Sequence, residues 1–368
     1  MDLITLGNLS NNTLVPTQGR LVNGIFDLTW TERYREAGEF QLTGEMSSGV
    51  LDTLTRGTLV SHLKTRSVMI VENIGISESK RESSTIDISG RSLESYLENR
   101  VAGSNFAVAI LGLVPDYQLA AGPTWTQALK LLDDHTKAGS VVDPNDAIPG
   151  LFNENVASGT ETIPQEARII KRGTLYQRLM ELLELGDLGI KVLRPIATGT
   201  TSMTLQIHRG IDLSGSVVFS WETGDLERTE YLSTSKKDKN AAFVAAKTLY
   251  VRVLGSETLV NRRMMQVEAG DIDEDVTLPY NQATYDSLAA SLGVRGREAV
   301  NRNNPIEITS TDISANTKQR YRSEYNIGDI VMVDGNYGTS QKMRVVEYVE
   351  IQDETGERGY PTLTTLTP

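Results

Sequence analysis

An alternating stretch near the N-terminus, residues 21–42, constrains the fold of this chain more than any other segment. It reads LVNGIFDLTWTERYREAGEFQL, and its apolar residues Phe26, Leu28 and Trp30 occupy every second position between polar residues. Successive side chains of a strand point to opposite faces, so the alternation predicts a β-strand with one apolar face and one polar face. Apolar alternation resumes after a charged turn, and the segment is therefore predicted to be a β-hairpin.

Length and composition favour several small domains over one large core. A chain of 368 residues exceeds the size at which a single hydrophobic core keeps growing. Hydrophobic residues make up 39% and aromatic residues 6%, which suits small β-rich domains within a larger assembly. Cysteine is absent, so disulfides, thiolate zinc sites and cysteine nucleophiles are excluded.

The pattern of elements predicts an α+β fold. We expect a first β-domain at 1–100, a helix-rich middle domain at 101–195, strands of a second β-domain at 196–255, and a C-terminal α+β domain with a terminal β-meander at 256–368. Runs of strands followed by runs of helices, without regular βαβ alternation, are typical of this class. The expected architecture is several small antiparallel β-barrels or β-sandwiches with a helix-containing middle region.

Local patterns refine this outline in the first half of the chain. An alternating run predicts that Val68, Ile70, Ile74 and Ile76 lie on one side of a strand. The segment 141–155 contains two prolines and a glycine, and it is predicted to be an irregular surface loop.

Helix starts are predicted at three positions. Ser92 is the expected N-cap of a short helix that follows a strand. Thr124 with Gln127, and Thr174 with Gln177, each have the spacing of a capping box ahead of an apolar helical pattern.

The hairpin carries a pattern that resembles a known family. Its W-x-x-x-Y-x-x-x-G-x-F-x-L positions are Trp30, Tyr34, Gly38, Phe40 and Leu42. The run resembles the opening of the siphophage tail-associated hub proteins, which are related in fold to the baseplate hub proteins of contractile phages. In that family the run begins the first β-domain.

Further segments resemble the same family in the same order. The segment IDISGRSLESYLENR at 86–100 is similar to a family strand that ends in Gly-Arg and leads into a short helix. A charged stretch precedes the strand-like Asn240–Ala246. YNIGDIVMV at Tyr325–Val333 is similar to the entry into the family's closing hairpin, and its Gly328 and Asp329 are predicted to make a turn into a buried strand. The resemblance covers most of the chain and is weakest between residues 101 and 165.

The resemblance implies a structural role at the tip of a phage tail. It implies a ring-shaped homotrimer in which each chain gives two similar β-domains to match a sixfold tube. The ring would close the tail tube, contact the distal tail protein, hold the tape-measure protein, and anchor receptor-binding or fibre proteins. It would open for the transient passage of DNA without specific binding. The implied location is the virion tail tip, after assembly in the host cytoplasm.

The alternative to a structural role is a tail-tip hydrolase that cleaves cell wall or capsule. Carboxylates at Asp133 and Asp134, or at Asp143 and Asp146, would suit acid–base hydrolysis of glycan. Adjacent helical residues point to different sides, and Asp is favoured in turns for local hydrogen bonds, so structural roles are favoured. His135 would serve as a general base or, more simply, complement a helix C-terminus. We therefore assign no catalytic residue.

Metal and cofactor sites are not predicted. Asp271, Asp273 and Asp275 alternate as in a calcium loop, but Val276 and Gln282 stand where an EF-hand needs Gly and Glu. The sequence contains no HExxH pair, no G-x-x-x-x-G-K phosphate loop and no G-x-S-x-G elbow.

The remaining conspicuous residues have structural interpretations. Trp30, Trp125 and Trp221 lie at strand or helix positions, which favours core packing over stacking on sugars. The basic run Lys236, Lys237 and Lys239 is typical of a solvated turn before a strand.

The net charge of −12 bears on the handling of DNA. Phosphate binding needs clustered Lys and Arg, so nonspecific DNA binding by the whole surface is not expected. A neutral or acidic channel lining is compatible with this charge. Neither a membrane span nor a signal peptide is predicted, because a run of about 18 apolar residues and a basic n-region followed by an apolar core are both missing. A bacterial adhesin, or the hub of a contractile injection machine, is a third interpretation.

Overall fold

The computed structural model describes most of the chain. The described residues are 3–10, 13–14, 20–45, 50–78, 84–103, 117–137, 147–148, 150–155, 167–170, 172–195, 202–234, 239, 241–247, 249–254, 263–269, 282–301, 306–315, 317–335 and 340–366.

The first hundred residues form strands and two short helices. In chain order these elements are β1 Leu3–Ser10, β2 Thr13–Leu14, β3 Arg20–Leu21, β4 Ile25–Arg33, β5 Glu39–Glu45, α1 Val50–Thr53, β6 Thr58–His62, β7 Met69–Ser77, β8 Thr85–Ser92 and a 3₁₀ helix at Leu93–Asn99.

The middle of the chain alternates short strands with two longer helices. Its elements are β9 Val101–Ala102, β10 Tyr117–Leu119, α2 Thr124–Thr136, β11 Leu151–Asn155, β12 Arg168–Ile170, β13 Gly173–Thr174, α3 Leu175–Leu185, β14 Gly189–Leu193 and β15 Met203–His208.

The last part of the chain is mostly strand and contains one long helix. Its elements are β16 Val218–Ser220, β17 Leu226–Thr234, β18 Ala241–Ala245, β19 Tyr250–Leu254, β20 Met264–Glu268, α4 Gln282–Asn301, β21 Ile306–Ile313, β22 Ile330–Asp334, β23 Ser340–Asp353 and β24 Gly356–Thr365. The predicted α+β class is confirmed.

The predicted N-terminal hairpin is the antiparallel pair β4–β5. Leu28 lies opposite Leu42, and Trp30 lies opposite Phe40 with the ring centroids 6.0 Å apart. All four side chains are no more than 1% exposed. The predicted apolar face is therefore buried at Leu28 and Trp30, whereas Phe26 lies at a register shift between Ile25 and Asp27 and is only half-buried.

A β-bulge overturns the prediction that Val68, Ile70, Ile74 and Ile76 share one side of a strand. The register of β7 with β8 shifts between Val71 and Asn73. Val68 and Ile70 pack in the core of the middle region, Ile74 packs against the core of the first strands, and Ile76 is 47% exposed. An inserted residue reverses the alternation, and single-sequence periodicity does not reveal it.

The helix starts were predicted with mixed success. The N-cap of α3 is confirmed, because the Thr174 hydroxyl accepts a hydrogen bond from the Gln177 N–H at 3.1 Å. The capping box at the start of α2 is wrong, since Pro123 occupies the N-cap position there. Ser92 is the N-cap residue of the 3₁₀ helix, but its hydroxyl accepts instead from the Gly38 N–H at 2.9 Å.

The predicted irregular loop at 141–155 is wrong over its last five residues. Leu151–Asn155 is strand β11, which pairs in parallel with β15 in a three-stranded sheet that also contains β14. Ile148, just before the strand, is 2% exposed. The apolar and polar residues of LFNEN do not alternate well enough to predict a strand, and the pairing comes from contacts distant in sequence.

One twelve-stranded sheet in the described residues links both ends of the chain. Its strands follow the order β16-β22-β23-β4-β5-β8-β7-β6-β1-β2, with β24 beside β23 and β3 beside β1. The link is the antiparallel pair β4–β23, from Leu28 opposite Gln352 to Arg33 opposite Glu347. The division into four domains stays a prediction, and the sheet itself draws on the first, third and last of these regions.

Separate hydrophobic cores lie along the chain. Trp30 belongs to the core of the first strands, and Phe219 belongs to that of β16 and β22–β24. Helices α2 and α3 pack on β14 and β15 around Leu182. Helix α4 packs through Leu292 on the sheet of β18–β20, opposite Val244.

Candidate functional site: a buried junction and a polar sheet face

Tyr34, from the family-like motif, lies where three parts of the chain meet. Its side chain is 2% exposed, and its hydroxyl donates to the Asp187 carbonyl at 3.0 Å. Its backbone N–H donates to the Val346 carbonyl at 2.9 Å, and its carbonyl accepts from the Ile190 N–H at 3.0 Å. The turn after β4 is thereby bonded to both the middle region and β23.

Two glycines allow the tyrosine ring to sit at this junction. A Cβ on Gly189 would come within 2.2 Å of the Tyr34 ring, and one on Gly328 within 2.4 Å. Gly328 also has φ +95°, a left-handed conformation that favours glycine. The turn Gly328–Asp329 before β22, predicted from the sequence, therefore leaves space for a ring from the first hairpin.

Asp187 completes the junction with ion pairs. Its carboxylate binds Arg35 at 2.5 Å and also binds Arg344, whose side chain is 5% exposed. Arg344 lies over the Tyr34 ring, 5.1 Å from its centroid, and His208 meets that ring edge-on at 5.3 Å. Burial lowers the pKa of His208 to about 3, so this histidine packs as a neutral ring.

A largely buried carboxylate, Glu32, organises polar groups beside the core of the first strands; its side chain is 11% exposed. It accepts hydrogen bonds from the Trp30 indole at 3.2 Å, the Thr65 hydroxyl at 2.7 Å and the Tyr321 hydroxyl at 2.6 Å. Burial acts to raise the pKa of Glu32, but the Arg322 guanidinium and these bonds outweigh burial and lower it. Arg322 has φ +65°, a left-handed backbone conformation that is strained for a residue other than glycine. Its guanidinium lies 3.6 Å from the Glu32 carboxylate.

A second buried carboxylate, Glu350, lies beside this cluster. Arg322 binds it at 2.8 Å, Lys64 lies 3.6 Å away and the His62 ring 3.9 Å away. Gln352 lies 3.2 Å from the same ring. The cluster joins β4, β6 and β23, and buried charges of this kind need such partners.

A third buried carboxylate, Glu94, has few partners. It lies on the 3₁₀ helix, is 5% exposed, and accepts a hydrogen bond from the Val192 N–H of β14. Among the described residues its second oxygen has no hydrogen-bond partner. Burial raises the pKa of this carboxyl to about 7, although the bonds from Ser92 and Val192 act to lower it.

The face of the sheet opposite the first core is polar, with neutral side chains at its centre. Thr29 of β4 lies opposite Gln41 of β5, which lies opposite Ser89 of β8, and Ser89 pairs with Asn73 of β7. In the next row the Thr43 hydroxyl donates to Asp87 at 2.8 Å. The face crosses from β7 to β23 without a break because β4 pairs with β23.

The arginines of this polar face are held by carboxylates. Arg33 binds Glu39 and Glu347, each at 2.6 Å. Arg91 binds the carboxylates of Glu72 and Glu98, both at 2.9 Å. Each of these cations meets two anions, so neither is left free to bind a phosphate. At the rim Arg358 binds Asp353 at 2.6 Å.

The residues considered for hydrolysis lie in structural environments where the structure describes them. His135 is fully buried in the last turn of α2, with Nδ1 2.7 Å from the Leu131 carbonyl and Nε2 accepting from the Gly103 N–H at 3.1 Å. Asp134 accepts from the Tyr117 hydroxyl at 2.8 Å and from Lys130 at 2.5 Å. The partner of Asp133 is the amide of Asn153, at 2.9 Å.

Other singled-out residues divide between the described and the remaining parts of the chain. Asp143, Asp146, Asp271, Asp273, Asp275, Val276, Lys236 and Lys237 lie outside the described residues, and Lys239 is described as half-buried. Trp30 is in the core and Trp125 packs against the middle core. Trp221 is 41% exposed on a turn after β16, so its predicted core position is wrong. The strand before it, β16, ends at Ser220, one residue before the tryptophan.

Neither a candidate metal site nor a membrane-spanning helix occurs in the described residues. Within those ranges, His, Cys, Asp and Glu form no group of three or more that would hold a metal ion. No helix in that part of the chain is long and apolar enough to span a membrane.

Sequence reasoning missed Glu32, Glu350 and Arg322. The available signal was a glutamate two residues after Trp30, at an inward position of an alternating strand. A carboxylate there predicts a buried partner, but the partner lies about 290 residues away along the chain, as the separation between Glu32 and Tyr321 shows.

Comparisons with known proteins place this chain among phage proteins. The model of the Siphovirus ReqiPepy6 Gp37-like protein family matches residues 15–363. No curated protein sequence matches the chain. The fold is similar to a prophage tail protein gp18 from Listeria monocytogenes EGD-e, at TM-score 0.59 and 9% identity over 100% of this chain and 95% of that one.

Two further solved structures share the fold. One is the 43 kDa tail protein of prophage MuSo2 from Shewanella oneidensis, with TM-score 0.56, 14% identity, and coverage of 100% of this chain and 98% of that one. The other is a tail protein from Neisseria meningitidis MC58, with TM-score 0.55, 13% identity, and coverage of 99% and 97% respectively. The resemblance to siphophage tail proteins predicted from the sequence is confirmed.

Proposed function

Because this chain belongs to the Siphovirus ReqiPepy6 Gp37-like protein family, we propose that it is the structural hub at the distal tip of a phage tail. The fold is that of phage tail proteins over nearly the whole length. In this role three copies form a ring that closes the tail tube and opens for DNA exit. The ring contacts the distal tail protein, the end of the tape-measure protein, and receptor-binding or fibre proteins.

The observation that carries this proposal is the continuous polar face of the large sheet. DNA leaving a capsid must slide past the ring without arrest, and free Lys or Arg would bind phosphates and release counterions. Here Thr29, Gln41 and Ser89 supply neutral groups, while the arginines are paired with carboxylates. Unpaired acids would repel the DNA backbone only within a Debye length of about 8 Å at physiological salt.

A face of this composition therefore suits the lining of the channel. The net charge of −12 supports the same assignment without locating it, because excess acid on the outside would serve solubility. The role we propose is structural and not enzymatic. It fits the described positions of Asp133, Asp134 and His135, each of which is hydrogen-bonded within the middle region.

A stop codon in this gene of the phage separates the proposed hub from the alternative of a tail-tip hydrolase. Loss of a hub should stop tail assembly or leave tails without a closed tip, as seen by electron microscopy of the lysate. Loss of a hydrolase should leave complete tails that adsorb normally and fail to degrade cell wall or capsule. Complete, closed tails without this protein would contradict the proposal.

A further inference from the structure

The two β-rich halves of the chain repeat one arrangement of strands. Strands β4, β5, β6, β7 and β8 occur in the same order as β17, β21, β22, β23 and β24. The first two strands of each set are an antiparallel pair, and the last two form a hairpin. The small unit of β18–β20 and α4 lies between β17 and β21, where the first set has only the short turn after β4.

Three local irregularities align the two sets residue by residue. The register of β7 with β8 shifts after Val71, and that of β23 with β24 shifts after Val345. On this alignment Ile70 corresponds to Arg344. Ile70 pairs with Leu59 of the preceding strand β6, and Arg344 pairs with Ile330 of the preceding strand β22.

The glycines and the first strands give the same alignment. Gly57, with φ +83°, lies two residues before Leu59 of β6. Gly328, with φ +95°, lies two residues before Ile330 of β22. The pair β4–β5 has a register shift after Ile25, and the pair β17–β21 has one after Leu226. Each bulge requires one extra residue in one strand, so bulges at equivalent places indicate that the two sets share the same strand arrangement.

The equivalent strands β23 and β7 differ in how many partners they pair with. From Glu347 onward β23 pairs with β24 on one side and with β4 on the other. The equivalent part of β7, from Asn73 to Ser77, pairs with β8, and within the described residues its other side has no strand partner.

Side chains at equivalent positions of β23 and β7 also differ in burial. Glu350, which lies opposite Trp30, is 4% exposed, whereas the equivalent Ile76 is 47% exposed. A strand edge of this kind, with an exposed apolar side chain, is a template for pairing with another strand.

The complementary free edge lies on β17. Strand β4 pairs with β5 on one side and β23 on the other, but its equivalent β17 pairs only with β21 among the described residues. As far as the described residues show, one chain therefore has an open β7 edge at one end of the repeated pattern and an open β17 edge at the other. Two different edges that complement each other make a head-to-tail contact, which closes into a ring when the rotation per copy is right.

We propose that the β7 edge of one copy pairs with β17 of the next, as β23 pairs with β4 within the chain. This inference rests on the proposed ring and names the contact that closes it. The in-chain register, Glu350 opposite Trp30 and Ile351 opposite Thr29, gives the contact between copies. Ile76 then lies opposite Tyr231 and Ser77 opposite Glu230, so that the exposed isoleucine is covered by the neighbouring copy.

Disulfide trapping tests this register directly, because the natural chain contains no cysteine. In the full-length protein, Ser77→Cys is combined with Glu230→Cys, and mild oxidation should give covalent dimers and trimers on a non-reducing gel. The matched control combines Ser77→Cys with Thr234→Cys, which shifts the second thiol by about 14 Å along the strand. A disulfide needs Cα atoms within about 7 Å, so the control should stay monomeric on the gel.

Light scattering on the unoxidised protein, and the subunit count in isolated tails, distinguish failure of the proposed contact from failure of the proposed ring. A trimer that gives the in-register ladder and not the control ladder supports the contact. A trimer with no in-register ladder, or with equal ladders, overturns the contact and leaves the ring. A monomer both in solution and in isolated tails overturns the ring and, with it, the contact.

The variant Ile76→Asp gives a second readout. Its side chain is exposed within one copy, so the variant should fold with unchanged thermal unfolding and assemble poorly. Normal trimers of Ile76→Asp would count against the proposed contact.

Discussion

Glu94 should make the stability of the protein depend on pH in an unusual direction. Its pKa is raised from an ordinary 4.5 to about 7 because burial on the 3₁₀ helix disfavours the charged form. A carboxyl whose pKa is higher in the folded state favours folding while it is protonated. That stabilisation is complete below pH 4.5 and is lost as the pH rises through 7.

The size of the effect follows from the two pKa values. At 1.36 kcal/mol per pKa unit, the full shift is worth about 3 kcal/mol, most of which is lost between pH 5 and pH 8. The change Glu94→Gln keeps the shape of the side chain, keeps an oxygen for the Val192 N–H, and removes the titration. A constant cost of burying the new amide cancels when the same variant is compared at two pH values.

Urea unfolding of both proteins at pH 5 and pH 8 measures this difference. Relative to wild type, the free energy of unfolding of Glu94→Gln should rise by about 2–3 kcal/mol from pH 5 to pH 8. Glu98→Gln, on the same helix but in an exposed ion pair with Arg91, is the control and should follow wild type at both pH values. An equal difference between Glu94→Gln and wild type at both pH values would refute the assigned burial of this carboxyl.

Three further predictions concern the motif and the polar face. Replacing Trp30 by Ala should cost about 3–5 kcal/mol and give insoluble or unassembled protein, whereas normal tails with lost adsorption would mean that Trp30 faces a ligand. Tyr34→Phe removes only the hydroxyl, with its bond to the Asp187 carbonyl, and should lower the free energy of unfolding by about 0.5–1.5 kcal/mol; an unchanged thermal midpoint would count against the junction. Glu72→Gln combined with Glu98→Gln frees Arg91 and should slow DNA ejection from intact virions at low salt, with recovery at high salt. Ejection at the wild-type rate would argue that this face lies outside the channel.

Much of the fold was predictable because its signal is local. The alternation around Trp30, and the turn before β22, each depend on residues that are neighbours in sequence. The N-cap at Thr174 was predictable for the same reason. The order of the family-like motifs then gave the class of protein, which the family match confirms.

What failed depends on contacts between distant segments. The bulge in β7 arises from its pairing with β8 and reverses the side on which Ile76 lies. Strand β11 exists because it pairs with β15, about 50 residues later. Neither pairing partner is visible in the local pattern, since strand formation depends more on tertiary neighbours than on intrinsic preference.

The candidate site was also predictable only where its signal is local. Tyr34 was singled out as part of a family-like motif, but its role at the junction depends on Gly189 and Gly328, which the motif does not contain. The ion pairs of Arg91 join residues of β7, β8 and the 3₁₀ helix, and only the folded sheet brings them together. The pairing of positive and negative charge on one face is therefore a property of the structure.

Cryo-electron microscopy of isolated tails tests the central claim most directly. The account predicts three copies of this chain in a ring at the distal end of the tail tube. The face bearing Thr29 and Gln41 should line the bore, with at least as many Asp and Glu as Lys and Arg exposed to it. A single copy per tail, or a position away from the tube axis, would contradict the hub; a belt of unpaired Lys and Arg around the bore would contradict the proposed lining.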